Sequence, residues 1–154
     1  MKLYLVQHAK AASEQEDPRR SLTEAGRKES EKAAAFARPL NLCVGCIWHS
    51  SKRRAAQTAE ILAEAVTSKE GSVAREALGP NDDVTPVARE LGAAEKDVMI
   101  VGHLPFLSRL ASLLLTGSES GDTVTFRNAG IVCVERGEDG RWHICWVVTP
   151  DILG

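Results

Sequence analysis

An apolar run at the start of the chain, Leu3 to Val6, stops abruptly at polar residues that include His8. A run of this length with branched and aromatic residues is typical of a buried strand, and it puts His8 at the carboxyl end of that strand. Ligands bind at this edge in open α/β sheets. A second apolar run, Val98 to Val101, is followed in the same way by His103. We therefore predict that the two histidines face one pocket.

The composition restricts the classes of function. A chain of 154 residues suffices for one domain with its own core, and we predict a single domain over residues 1–154. The 19 basic and 21 acidic residues leave a formal charge of −2, which argues against general binding of nucleic acids or membrane surfaces. No apolar stretch reaches the ~20 residues of a membrane span, and no signal peptide precedes the first strand. We expect a cytoplasmic protein.

The cysteines are predicted to be free and buried, because their surroundings are apolar and they are too few for a disulfide scaffold: Cys43, Cys46, Cys133 and Cys145. The spacing of the first pair is half of a zinc motif, which His49 or His143 could complete together with Cys145. A second closely spaced pair is missing, so we predict no metal site.

Strand and helix patterns alternate along the first 115 residues, and a strand-rich part follows. Predicted helices begin at Ser21 or Thr23 and at 52, 82 and 104, and they end near 38, 66, 91 and 115. Predicted strands after the first cover 43–48, 98–101, 123–126, 130–135 and 142–148, with an irregular segment at 67–81. This order favours an α/β fold of three layers (αβα), with a mainly parallel central sheet and an antiparallel edge.

The segment Ser50 to Arg54 follows the strand at 43–48 and opens a helix. A helix amino terminus and a guanidinium group would therefore lie beside His8. Unpaired N–H groups, a partial positive charge and the planar fork of Arg together suit a phosphate dianion. Lys52 and Arg53 are equally well explained as a solvated helix surface.

Three motifs, in this order, resemble the histidine phosphatase superfamily, formerly called phosphoglycerate mutase-like. They are the strand followed by His8, the pattern S-x-x-x-R-x-x-Q-T-A in Ser50–Ala59, and V-G-H-x-P in Val101–Pro105. The short chain, the segment Arg20–Gly26 and the lack of an inserted cap resemble the SixA-type phosphohistidine phosphatases. The resemblance covers about residues 2–115 and implies a phosphoglycerate mutase-like fold.

The resemblance also implies roles for individual residues. His8 matches the nucleophile that takes the phosphoryl group onto a ring nitrogen, and His103 matches the second catalytic histidine. Arg54 and Arg20 match phosphate-binding arginines. A neutral imidazole would attack phosphorus in line, cations would stabilise the equatorial oxygens, and water would then attack phospho-His8. No metal or organic cofactor is needed for this chemistry.

The first motif departs from the family's Arg-His-Gly, because this chain has Gln7-His8-Ala9. Gln7 can donate a hydrogen bond to phosphate, but it lacks the charge and the bidentate fork of Arg. We expect a loss on the order of 1–2 kcal/mol, a factor of about ten, in phosphate or transition-state binding. Lys10 could restore positive charge if the extended conformation continues, and Ala9 adds a methyl group near the phosphate. We interpret Gln7 as a tuned phosphate ligand.

A general acid is the least defined role. Larger superfamily members take a carboxylate from the region between the second and third motifs, where this chain has four: Glu76, Asp82, Asp83 and Glu90. Asp82 is the candidate, although capping of the next helix accounts for it better. A phosphohistidine substrate requires less proton assistance, because imidazole is a good leaving group. We interpret His49 and His143 as structural.

The sequence therefore predicts a phosphatase that works through phospho-His8, and a phosphorylated protein carrying phosphohistidine as its substrate. An uncapped site admits a side chain on a protein surface, while the acidic loop Glu14–Asp17 disfavours highly anionic sugar phosphates. Two alternatives stay open. One is a small-molecule phosphomonoesterase, and the other is a catalytically weak module that binds phosphate or phosphohistidine. We expect an oxyanion in the site, no nucleic-acid or membrane partner, and a monomer or weak oligomer.

Overall fold

The computed structural model describes residues 1–154, and a six-stranded sheet forms its middle layer. The strands are β1 (Lys2–Gln7), β2 (Cys43–Val44), β3 (Cys46–Ser50), β4 (Thr67–Ser68), β5 (Ser72–Arg75), β6 (Val98–Gly102), β7 (Ile131–Arg136) and β8 (Trp142–Val148). Their order across the sheet is β5-β3-β6-β1-β7-β8, and β2 pairs separately with β4. Strands β5, β3, β6 and β1 are parallel to one another, whereas β7 pairs in the antiparallel direction with both β1 and β8. The predicted α/β fold with a mainly parallel sheet is confirmed.

Four helices cover the two faces of the sheet: α1 (Glu24–Ala37), α2 (Arg53–Ala63), α3 (Thr85–Ala93) and α4 (Phe106–Thr116). Successive side chains of a strand point to opposite faces. Tyr4 and Val6 of β1 accordingly share one core with residues of α1 and α2. Leu3 and Leu5 share the other core with residues of α3 and α4. The sheet thus lies between two helical layers, as predicted, and no helix has the length and apolarity needed to cross a membrane.

The register of the central strands sets the edge where the site lies. Gln7 of β1 is paired with Gly102 of β6, and the His8 N–H donates to the Gly102 carbonyl at 2.9 Å. His49 of β3 is paired with Val101 of β6. The residues that follow these three parallel strands therefore meet at one carboxyl edge.

The observed helix boundaries differ from those predicted from the apolar pattern, except where a side chain caps the helix. The Thr23 hydroxyl accepts a hydrogen bond from the Gly26 N–H at 3.0 Å and caps α1, as predicted. The second helix begins later and ends earlier than predicted, and its N-cap Lys52 has no side-chain cap. Ser50 does not cap this helix, because it is the last residue of β3. The third helix starts three residues late, after a turn that begins at Gly79.

Two predicted strands differ in the structure. The run at 43–48 is divided into β2 and β3 at Gly45, whose N–H donates to the Asp97 carbonyl at 2.7 Å. The segment 123–126 is not a strand, although Val124 and Phe126 are buried in the core beside α4. Its alternating pattern reflects burial of side chains without ladder pairing. The prediction of buried cysteines holds for Cys46 and Cys133 and is wrong for the other two, which are exposed.

Candidate active site

His8 and His103 lie side by side at the carboxyl edge of the sheet. Their ring centroids are 5.0 Å apart, and the ring planes are inclined at 58°. His103 is buried, with 1% of its surface exposed, whereas His8 is half-buried. One histidine is therefore accessible to a substrate from outside, and the other lies behind it in the protein.

The protonation site of His8 is set by its backbone neighbour. Nδ1 lies 2.7 Å from the Ala9 carbonyl oxygen, which can only accept a hydrogen bond. Nδ1 therefore carries the proton of the neutral ring, and Nε2 holds the lone pair. The Asn128 side-chain amide donates to the His8 carbonyl at 2.8 Å and fixes the backbone from the other side. His8 thus has an unprotonated nitrogen, as a nucleophile requires.

The surroundings of His8 favour its neutral form. Burial lowers the pKa of His8, since it removes water from the charged ring. The hydrogen bond to Ala9 acts in the opposite direction, and the positive charges of Arg54 and Arg20 lower the pKa further. These surroundings favour the neutral imidazole, which keeps a lone pair on Nε2.

His103 is held by Ser50. The Ser50 hydroxyl lies 2.8 Å from Nε2, while Nδ1 is buried without a partner in the protein. Burial lowers the pKa of His103 to about 3, and the charges of His8 and Arg54 contribute. This ring is also neutral at physiological pH.

Two arginines give the site its positive charge. Arg54 is half-buried in the first turn of α2. Burial lowers its pKa, and the charge of Arg20 lowers it further because the two guanidinium groups lie near each other. Arg20 donates from Nε to the Ala12 carbonyl at 3.0 Å and has a left-handed backbone with φ of 51°. Such strained residues are concentrated at functional sites.

Three buried side-chain polar atoms in the chain lack a hydrogen-bond partner, and all three belong to this cluster: Gln7 Oε1, Arg54 Nε and His103 Nδ1. Buried polar groups normally have partners, so three unpaired atoms in one cluster can bind a polar ligand together. An oxyanion offers acceptors to Arg54 and His103, and the Gln7 amide can rotate to present its NH₂ group. The cluster can therefore accommodate an anion beside the ring of His8.

The sequence motifs contain further residues whose contacts sequence reasoning missed. The buried Thr58 and Gln57 belong to the same motif as Arg54, and Gln57 accepts from the Leu22 N–H at 2.8 Å. This bond ties the loop before α1 to α2. Asn128 lies outside every motif, in the segment between α4 and β7, and nothing in the sequence marks it.

The candidate general acid, Asp82, lies in the turn before α3 and lines a groove that also includes Ser50. Asp82 is exposed, and its Oδ2 accepts from the Gly79 N–H at 2.7 Å, which closes the turn before α3. Of the other carboxylates, Asp83 accepts from the Thr85 N–H at 3.0 Å, and Glu90 pairs with Arg75 at 2.7 Å. Three of the four carboxylates thus have local contacts, and Glu76 lines the groove beside Ser50.

The remaining predicted neighbours lie outside the cluster. Arg53 donates to the Ser21 hydroxyl at 2.6 Å, and Lys10 and Lys52 are exposed. His49 donates from Nδ1 to the Ser50 carbonyl at 2.9 Å, and His143 is exposed on β8. No group of three or more His, Cys, Asp or Glu residues could hold a metal ion.

Known proteins share this fold and part of this sequence. The family model of the histidine phosphatase superfamily (branch 1) matches residues 3–77. No curated protein matches the sequence. The protein histidine phosphatase SixA, solved as a complex with tungstate, has a TM-score of 0.86 and 25% identity, with 100% of each chain covered. Residues 3–77 are therefore similar in sequence to the histidine phosphatase superfamily, and the whole chain shares the fold of SixA.

Two further structures show the range of the fold. A protein of Agrobacterium tumefaciens assigned as a SixA phosphohistidine phosphatase has a TM-score of 0.76 and 24% identity, with 97% of each chain covered. A phosphoserine phosphatase variant of Entamoeba histolytica in complex with phosphoserine has a TM-score of 0.70 and 14% identity, again with 97% of each chain covered. All three structures cover nearly the whole chain, the two SixA proteins have the higher TM-scores and identities, and the matches support a phosphatase.

Proposed function

We propose that the protein is a phosphatase that removes the phosphoryl group from protein phosphohistidine through a covalent intermediate on His8. One observation carries the proposal. The Ala9 carbonyl binds the Nδ1 proton, so the Nε2 lone pair is free beside the unpaired donors of Arg54 and His103. A nucleophile and oxyanion donors in one pocket are the two requirements for phosphoryl transfer by this route.

The first half of the reaction transfers the phosphoryl group to the enzyme. Nε2 of His8 attacks phosphorus in line, a P–N bond to His8 forms, and the bond to the substrate nitrogen breaks. Arg54, Arg20 and Nδ1–H of His103 stabilise the equatorial oxygens, with a hydrogen bond from the Gln7 amide. The substrate ring reacts with a proton already on its other nitrogen, so it departs as neutral imidazole and needs no further proton.

The second half regenerates His8. Water attacks phosphorus on the side that the leaving group vacated, the bond from phosphorus to Nε2 breaks, and inorganic phosphate leaves with the proton of the water molecule. His8 returns to its neutral form with the proton still on Nδ1. No step needs a side chain outside the cluster.

The leaving group supports phosphohistidine over a phosphate ester. An alkoxide must be protonated as it leaves, which calls for a carboxylic acid close to the leaving oxygen. Asp82, the candidate for that role, is bound to the Gly79 N–H. A phosphohistidine ring protonated on its other nitrogen departs as neutral imidazole, whose conjugate acid has a pKa of about 6.5, so no carboxylic acid is needed at the leaving atom.

The space next to the cluster supports a protein-borne substrate. A groove of 360 Å³ lies beside Ser50 and is lined mainly by polar residues between β3, β5 and the turn before α3. A side chain projecting from a protein surface reaches an open groove more readily than an enclosed cavity. The names of the SixA structures point to the same substrate class.

A binding module that does not turn over its ligand is the second candidate. The neutral Gln7 in place of the family's Arg favours it, since charge assistance is lost at the phosphate. Small phosphoesters are a third candidate, consistent with the fold of the phosphoserine phosphatase.

Rapid-quench labelling with a ³²P-phosphohistidine protein separates these functions. We expect an acid-labile label on the wild-type protein and none on His8→Ala. Binding of the phosphoprotein without label or phosphate release would support the binding module. A kcat/KM for phosphoserine above that for the phosphoprotein would support the small-molecule enzyme.

A further inference from the structure

We propose that Ser50 is a positioning residue that fixes the tautomer of His103, so that Nδ1 carries the proton and acts as a hydrogen-bond donor in the site. Only the consequence for catalysis rests on the proposed function. The tautomer itself follows from the hydrogen bonds of one buried hydroxyl group.

The Ser50 hydroxyl has two neighbours. The Lys52 N–H lies 3.2 Å from Oγ, and His103 Nε2 lies 2.8 Å from it. A backbone N–H can only donate, so it occupies a lone pair of Oγ and leaves the hydroxyl proton free. His103 Nε2 is the one acceptor that this proton can reach. Ser50 therefore donates to Nε2, which must be unprotonated.

The opposite tautomer leaves one more buried group unsatisfied than the tautomer with Nδ1–H. If Nε2 carried the proton, Ser50 would accept two hydrogen bonds and its own O–H would have no acceptor. Ser50 is only 2% exposed, so water cannot easily take that proton. Nδ1 of His103 has no partner in the protein in either tautomer, so the Ser50 hydroxyl decides between them. Buried polar groups are rarely left unpaired.

The same tautomer gives the two histidines opposite roles. In His8 the Ala9 carbonyl binds the Nδ1 proton, which leaves Nε2 as the attacking atom. In His103 the Ser50 hydroxyl occupies Nε2, which leaves the Nδ1–H as the group without a partner. The position of a single hydroxyl thus determines that the second ring donates to an oxyanion and does not compete with His8 as a base.

The test uses the full-length protein labelled with ¹⁵N-histidine. We expect His103 in the wild-type protein to show a protonated Nδ1 and an unprotonated Nε2 in two-bond ¹H–¹⁵N spectra near neutral pH. Ser50→Ala is expected to shift this ring towards the Nε2–H form. Ser50→Thr, which keeps the hydroxyl, is expected to retain the wild-type pattern. Ser51→Ala, at the exposed neighbouring position, controls for local perturbation and should leave the tautomer unchanged.

Catalysis provides a separate readout. With a phosphohistidine protein, Ser50→Ala is expected to lower kcat about 10- to 100-fold with a smaller change in KM, because a transition-state donor is misplaced. An Nε2–H tautomer in the wild-type protein, or an unchanged tautomer in folded Ser50→Ala, would overturn the proposal. The wild-type spectrum decides the matter even if the variant fails to fold. The predicted tautomer without any phosphoenzyme would instead refute the proposed function.

Discussion

Thr58 holds the backbone of Ala9 next to His8: its Oγ1 accepts from the Ala9 N–H at 3.0 Å and donates to the Arg54 carbonyl at 2.8 Å. One buried hydroxyl therefore connects the loop that carries His8 to the first turn of α2. The Ala9 carbonyl sets the tautomer of His8, so the position of this peptide matters for the chemistry.

Removing that hydroxyl tests the connection. Thr58→Val keeps the shape of the side chain but leaves the buried Ala9 N–H unpaired, which should reduce the free energy of unfolding by about 1–3 kcal/mol. We also expect a lower rate of His8 phosphorylation, measured by rapid-quench labelling. Thr58→Ser keeps the hydroxyl and should retain most of that rate. Equal rates in the valine and serine variants would show that the hydrogen bond does not position His8.

His8 is predicted to be the residue that carries the phosphoryl group. His8→Ala should abolish phosphoenzyme formation, because no other group in the cluster offers a nitrogen nucleophile to the bound phosphate. The measurement is acid-labile ³²P on quenched protein. His143→Ala, on the exposed surface of β8, and His49→Ala should change the label little once their folding is verified. A label that survives in His8→Ala, or that disappears only in His49→Ala, would place the reaction elsewhere.

The sequence predicts correctly the site residues that directly follow a single buried strand. The apolar runs of β1 and β6 are buried on both faces, so their ends are visible in the sequence, and parallel pairing brings those ends together. Roles that depend on a distant partner were not predictable. Ser50 has the chemistry of a helix cap, yet its hydroxyl binds His103, which follows another strand.

In the carboxyl-terminal part, too, the structure depends on distant residues that a local sequence pattern does not show. Val124 and Phe126 alternate with exposed residues as in a strand, but β7 already occupies the available edge of β1. Their backbone therefore remains outside the ladder while their side chains fill the core. Asn128 contacts His8 only because this segment returns to the end of β1, which no local pattern shows.

Gln7 is predicted to limit anion binding. Gln7→Arg adds a cation and a bidentate fork beside the oxyanion, so we expect about tenfold tighter binding of tungstate or vanadate. Gln7→Glu has nearly the same shape and the opposite charge, and it should weaken binding. Titration calorimetry of the three proteins checks the order. Equal affinities for all three would show that this side chain does not contact the anion.

Asp82 is predicted to stabilise a turn without taking part in catalysis. Asp82→Ala removes the acceptor of the Gly79 N–H and should reduce the free energy of unfolding by about 1 kcal/mol, measured by urea unfolding. Asp82→Asn keeps an acceptor oxygen and should lose less. Both variants should keep kcat within a factor of about two for a phosphohistidine substrate. A loss of kcat above about 100-fold in the folded Asn variant would restore Asp82 as the general acid.

His103 is predicted to make stability depend on pH. Its pKa is lowered from the usual 6.5 to about 3 by burial, so the unfolded chain binds a proton at this residue between those values and the folded protein does not. Stability should therefore be fully present above pH 6.5 and fall as the pH decreases towards 3, with a slope of at most about 1.4 kcal/mol per pH unit from this residue. The lowered pKa of His8 acts in the same direction. Urea unfolding of wild type and His103→Asn between pH 7 and pH 5 measures the difference, and the variant should show the flatter profile. His143→Asn, changed at an exposed position, should follow the wild type, and parallel profiles for wild type and His103→Asn would rule out a neutral buried His103.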